Sequence, residues 1–290
     1  MLVQIIFTGL YMGCIYGLVG LGFVIIFNAS KIFNFGQGEF LMLGAMFYVT
    51  FSLSLKLPFI LSLFCCIASM AIVGFIIEAT GINPLRKKNA EIMRLIMVTL
   101  AFGIMSKNVA EVVWGKYPIR APEIFQTVDV TIANHPLRVQ GLVIIVGTLM
   151  TSLILWFFFK KTMFGKAFRA AALNTEMSYL CGINVRLMVS TAFILGGALG
   201  GFAGALVGPI AFVSSHMGYM LGVKGFCAAC IGGMGNLGGA VLAGVIIGLI
   251  ENLVGGYVST RLMHGLAFAL LIFVLIIKPT GLLPTKEVLD

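Results

Sequence analysis

Nine apolar stretches, most of them close to twenty residues long, dominate this chain and restrict it to helices that satisfy their own backbone groups inside a bilayer. They run approximately over 5–27, 38–55, 59–77, 92–113, 141–159, 188–207, 221–234, 240–258 and 262–277. Only 10% of the 290 residues are charged, whereas soluble domains carry about 25%. The class is therefore an all-α integral membrane protein. Two stretches, 38–55 and 221–234, each follow a polar break, and the second is short for a crossing at about 1.5 Å per residue. The expectation is a polytopic helical bundle of about eight spans with broken or re-entrant segments, eight and nine passes both fitting the pattern.

The net charge of +9 is carried by short loops between apolar segments, which fits the positive-inside rule and excludes nucleic acid as a partner. Arg86, Lys87, Lys88 and Arg94 surround Glu91, and Lys160, Lys161, Lys166, Arg169 and Arg186 stand against Glu176, so both loops face the cytoplasm. The segment 114–139 is nearly balanced, with Lys116, Arg120 and Arg138 against Glu123 and Asp129, and it holds Pro118, Pro122 and Pro136. It reads as an outer loop dividing a single transmembrane domain, 1–290, into halves of approximately 1–113 and 140–290. The start of the chain lacks the basic region and cleavage site of a signal peptide, so the first segment is expected to be retained. The side on which the chain begins depends on the number of passes.

The cytoplasmic loop 160–187 reads as two short helices. Three consecutive alanines favour a helix over 165–173, Asn174 offers an N-cap for a second over 175–181, and Gly182 supplies the left-handed residue that ends it. Two short helices at a membrane surface make a compact knob that a soluble partner could grip.

The two halves share an outline. In each, a long apolar segment ends in a polar break before a shorter one, at 28–39 and at 208–224, and paired breaks of this kind point to a transporter's pathway. Asn28, Asn34, Gln37, Glu39, Ser214, Ser215, His216 and Lys224 are the candidate pathway residues. Those of the first break, with Lys31, either line the inner mouth or satisfy backbone freed where the helix stops. Lys107 and Glu111, four apart on one helix face, are expected to pair, and Glu251 is expected to face the interior toward Lys224 or His264. Gly196, Gly200, Gly204 and Gly208 recur every four residues beside Gly197 and Gly201, and Gly244 and Gly248 repeat the spacing. Such faces let backbones approach closely, as fixed packing or as a sliding seam.

Several other patterns do not carry chemistry. The G-x-G-x-x-G over 233–238 is flanked by membrane segments and reads as a tight cytoplasmic turn. No phosphate-binding G-x-x-x-x-G-K-[ST] occurs, so ATP is not expected on this chain. Cys227 and Cys230 have the spacing of a metal pair without a second pair, and no metal, disulfide or catalytic constellation is expected.

Gly165, Arg169, Ala170 and Gly182-Ile183 resemble the cytoplasmic loop of permeases in ABC importers, specifically the branched-chain amino-acid permease family, although Leu173-Asn174 stands where many members have an acidic pair. Asn34-Phe35-Gly36-Gln37-Gly38-Glu39 is similar to the family's Asn-Phe-Ala-His-Gly-Glu, with Gly36 and Gln37 replacing Ala and His. Gly232-Gly233-Met234-Gly235-Asn236 and Lys278-Pro279-Thr280-Gly281-Leu282 resemble its C-terminal signatures, so the likeness spans nearly the whole chain. The resemblance implies a permease subunit, not an enzyme, in a bacterial inner membrane, forming a path for branched-chain or related hydrophobic amino acids. It also implies two ATPase subunits that hold the ATP, a second permease subunit, identical or paralogous, and a periplasmic substrate-binding protein. Gly165, Lys166, Arg169, Ala170, Asn174, Glu176 and Gly182 would then contact the ATPase. A permease of the same family for urea, short amides or aromatic acids is the nearer rival, and a membrane-embedded enzyme the more distant one.

Overall fold

The computed structural model describes residues 2–88, 90–122, 129–132 and 135–283. In chain order the helices are α1 (Leu2–Ser30), α2 (Gln37–Val49) prolonged by a π turn, α3 (Phe59–Ile77), which continues through a second π turn into α4 (Asn83–Lys87), and α5 (Ile92–Trp114). After the outer loop come α6 (Val139–Lys161), α7 (Met163–Leu173), α8 (Thr175–Leu180), α9 (Val185–Val207), α10 (Met217–Gly232), α11 (Leu237–Tyr257) and α12 (Thr260–Ile277). Among the described residues, six helical runs are long and apolar enough to cross a membrane. Ile60, Phe64, Ile104, Val112, Leu153 and Ile272 are exposed on the outside of the bundle, where lipid would solvate them.

The loop between α5 and α6 is not wholly irregular. It contains an antiparallel pair, β1 (Asp129–Ile132) with β2 (His135–Arg138), in which Val130 pairs with Leu137. The β-branched run Val130-Thr131-Ile132 suits a strand, a signal too short to read against the surrounding prolines.

Glycine decides how the helices meet. Gly9, Gly13 and Gly17 of α1 lie against Gly248, Gly244 and Val241 of α11, running antiparallel. α9 has two such faces: Gly197 and Gly201 sit on Met70 of α3, while Gly200 and Gly204 sit on Phe40 and Leu41 of α2. A Cβ added to Gly204 would lie 2.3 Å from the Leu41 carbonyl oxygen, and one added to Gly13 would lie 2.6 Å from the Val245 Cα. Backbones this close gain dispersion contacts that larger side chains would prevent. The packing also exchanges elements along the chain: α1 lies along α11 as α9 lies along α3, and α2 rests on α9 as α10 rests on α1.

These contacts sort the ends of the helices into two faces. Gly141 packs on Phe7 and Tyr11, the Trp114 indole donates to Thr50, and Val213 bridges to Ile119 of the outer loop. At the other face, Asn28 donates to the Gly235 carbonyl and the Leu282 amide donates to the Ile231 carbonyl. Arg86, Lys87, Lys88, Lys160, Lys161 and Lys278 all belong to that second face, which is the basic one. The start of α1 thus shares the first face with the start of α6, and α12 ends on the basic one. Among the described residues, α2 and α10 each begin inside the bundle, after an irregular segment, and run toward opposite faces.

Candidate functional site

The two broken helices begin in the middle of the bundle. Gln37 lies beside Gly196, and Glu39 lies beside Gly103. Gly196 is the central residue of the 23-residue α9 and Gly103 the central residue of the 23-residue α5. The first turn of α2 is therefore near mid-membrane. There it crosses the first turns of α10: a Cβ on Gly38 would lie 2.2 Å from the Gly218 carbonyl oxygen, and one on Gly222 would lie 2.8 Å from the Gly38 Cα. Two helix N-termini, each carrying partial positive charge, overlap at this crossing, as they do where discontinuous helices build a transport site.

The candidate residues divide between distinct places. Asn34 Oδ1 accepts from the Gly36 amide at 3.2 Å, and its Nδ2 donates to Gln37 Oε1 at 3.4 Å. Gln37, fully buried, donates from Nε2 to the Gly196 carbonyl at 3.0 Å and fills the space left by Gly22. The Phe35 amide donates to Thr99 Oγ1 at 3.2 Å. Asn34 and Gln37 thus fasten the break to α9, and Thr99 ties it to α5, meeting backbone groups that the interrupted helix leaves free. Glu39 is different: it is 8% exposed and its Oε2 has no hydrogen-bond partner among the described residues.

Asn28 belongs to the basic face through its bond to Gly235, and Ser214 to Ser215-His216 mark the entrance of α10. Ser215 donates to Glu111 Oε1 at 3.2 Å, His216 Nε2 lies 3.9 Å from the same oxygen, and the Ser214 carbonyl accepts from the Met217 amide. The expected Lys107–Glu111 pair does not form. Glu111 turns toward the start of α10 instead, and Lys107 forms no ion pair among the described residues.

Lys224 stands apart from the crossing. Its ammonium is paired with Glu251 and donates to the Tyr16 hydroxyl at 3.1 Å, all three groups being buried between α10, α11 and α1. Of the two partners considered for Glu251, the structure selects Lys224; the His264 side chain lies outside the described residues.

The knob is built from α7 and α8. Thr162 caps α7 by accepting from the Gly165 amide at 3.0 Å, which starts the helix two residues before 165, and Asn174 caps α8 by accepting from the Met177 amide at 3.0 Å. Gly182, at φ +78°, turns the chain toward α9. Gly165 is pressed against the end of α6, where a Cβ would lie 2.4 Å from the Phe158 carbonyl oxygen, and Phe168 packs on the Phe159 ring. Lys166, Arg169, Asn174 and Glu176 are exposed and Ala170 is half-buried. So are apolar residues that the sequence reading passed over: Met177, Tyr179 and Leu180 are 61%, 75% and 79% exposed. Their position on a six-residue helix outside the apolar spans was the available signal. A cleft of 340 Å³ separates Arg169 and Lys160 from the turn at 235–238.

Residues 5–275 match the family described as the branched-chain amino acid transport system permease component. The chain belongs to this family. It is 31% identical to the high-affinity branched-chain amino acid transport system permease protein LivH of Salmonella typhimurium, covering 98% of this chain and 96% of that protein. It is 29% identical to BraD of Pseudomonas aeruginosa, with the same coverages of 98% and 96%, and 30% identical to the probable LivH of Methanocaldococcus jannaschii, covering 91% and 87%. No solved structure gives a significant match.

In this permease the two C-terminal stretches singled out by the resemblance touch each other. The Leu282 and Leu283 amides donate to the Ile231 and Gly232 carbonyls, Asn236 Nδ2 donates to the Leu283 carbonyl, and a Cβ on Gly281 would lie 2.5 Å from the Gly233 Cα. Gly233, at φ +99°, and Gly281, at φ +82°, each adopt a conformation open to glycine, so a side chain at either would separate the tail from the α10–α11 turn.

Proposed function

We propose that this permease, with a second permease subunit, forms the transmembrane path of a bacterial ABC importer for branched-chain or related hydrophobic amino acids. Two ATPase subunits on the cytoplasmic face bind the ATP, and a periplasmic substrate-binding protein delivers the substrate. The observation that carries this reading is the crossing of two helix N-termini at mid-membrane, where Gly38 meets Gly218 and Gly222. The knob supports the coupling role. It presents Arg169 beside exposed Met177, Tyr179 and Leu180, a mixed surface suited to a protein partner outside the bilayer. It is also continuous with α6 and α9, and α9 holds Gln37, next to the crossing, through the Gly196 carbonyl, so a pull on the knob reaches the path through one helix.

The test is purification of the tagged chain from its native membrane in mild detergent, followed by mass spectrometry and reconstitution into liposomes. Recovery of ATPases and a second permease, with ATP-dependent uptake of leucine, isoleucine or valine, is the expected result. Recovery of the chain alone, under conditions that hold a known importer together, would overturn it. Arg169→Glu is expected to lower uptake about tenfold by reversing charge at the ATPase contact, with insertion and thermal stability unchanged because the side chain is exposed. Uptake at the wild-type rate would remove Arg169 from the contact.

A further inference from the structure

We infer that Glu39 and Lys107 act together as a reader of zwitterions, Glu39 receiving the substrate's ammonium and Lys107 its carboxylate. This rests on the reading of the protein as an amino-acid permease and names how its site would select.

Glu39 lies in the first turn of α2, nine-tenths buried, with Oε2 lacking a hydrogen-bond partner among the described residues. Leaving a buried carboxylate oxygen unpaired is costly, so an ammonium arriving there would gain a strong charge-assisted bond. Glycine on α10 and on α5 lets both helices lie close to the Glu39 carboxyl group. A Cβ on Gly218 would lie 2.6 Å from Glu39 Oε2, and a Cβ on Gly103 would lie 3.6 Å from Glu39 Cγ.

Lys107 is one turn beyond Gly103 on α5, so both share the face turned toward Glu39. Its ammonium forms no ion pair among the described residues, and the side chain is half-buried. A cation near the centre of a span costs about 2.5–3.5 kcal/mol on insertion scales, which a substrate carboxylate would offset. Glu39 and Lys107 do not close into an ion pair with each other, although Gly103, one turn before Lys107, lies beside Glu39. An amino acid, whose two charges flank one carbon, can satisfy both groups at once; a neutral amide or urea can satisfy neither fully.

The test measures binding of radiolabelled leucine to the ATPase–permease complex in nanodiscs without the substrate-binding protein, with leucinamide and 4-methyl-2-oxopentanoate as competitors. Wild type is expected to prefer leucine to both. Glu39→Gln should bind leucine about tenfold more weakly and lose its discrimination against the oxo acid while keeping that against the amide. Lys107→Gln should show the reverse selectivity. Because Lys107 is half-buried, its variant tests one arm even where Glu39→Gln fails to assemble. Unchanged discrimination in both variants, or equal loss toward both analogues in each, would overturn the proposal. Wild type that binds no zwitterionic amino acid would instead overturn the proposed function.

Discussion

Gly244→Leu is expected to prevent the bundle from assembling, destabilising it by at least about 3 kcal/mol, the upper range for overpacking a core. A Cβ at Gly244 would lie 2.4 Å from the Gly17 nitrogen, 2.7 Å from the Gly17 Cα and 2.8 Å from the Gly13 carbonyl oxygen. All three atoms are backbone, so no rotamer change can make room, and the remaining atoms of leucine would push α11 off α1. α1 is buried along most of its length and serves as the packing centre for α9, α10 and α11, so the displacement would spread. Gly265, in α12, provides the contrast, since nothing lies within 4 Å of a Cβ built there. Gly265→Ala should leave the melting temperature unchanged or raise it, because alanine favours a helix by about 1 kcal/mol over glycine. Thermal unfolding of the two variants in detergent, followed by size-exclusion chromatography, distinguishes them; a monodisperse Gly244→Leu protein with the wild-type melting temperature would show that the seam does not depend on backbone contact.

Local signals were the legible part of this protein. Apolar segment length gave the helices, Asn174 and Gly182 gave the shape of the knob, and the four-residue glycine spacing marked the close faces of α9 and α11. Depth in the membrane was not legible. A short apolar run such as 221–234 does not reveal where its helix begins; the contacts of Gln37 with Gly196 and of Glu39 with Gly103 place α2, and the meeting of Gly38 with Gly218 then places α10 near the centre. The pairing of charges was partly hidden for the same reason. Lys107 and Glu111 have ideal spacing for each other, yet Glu111 finds Ser215 in the turn that precedes α10. Gln37 was read as a possible lining residue, and its bond to Gly196 depends on a contact 159 positions away in sequence.

Lys224→Met is the second change expected to have a large effect, lowering stability by about 3–5 kcal/mol, because it leaves the partner charge buried and uncompensated. Glu251 is fully buried, one of its oxygens already lacks a hydrogen bond among the described residues, and the Tyr16 hydroxyl alone cannot replace an ammonium. Tyr16→Phe removes one neutral partner of Lys224 and should cost only about 1 kcal/mol. The double variant Lys224→Met with Glu251→Leu removes both charges and should recover most of the lost stability, since buried pairs replaced by apolar residues of similar size are often neutral. Its transport then separates stability from position. The Lys224–Glu251 pair ties α10 to α11 a turn beyond the point where Gly218 and Gly222 cross Gly38. If it sets the register of that crossing, the double variant will melt near the wild-type temperature yet import slowly. Full uptake by a stable double variant would show that apolar packing alone positions α10.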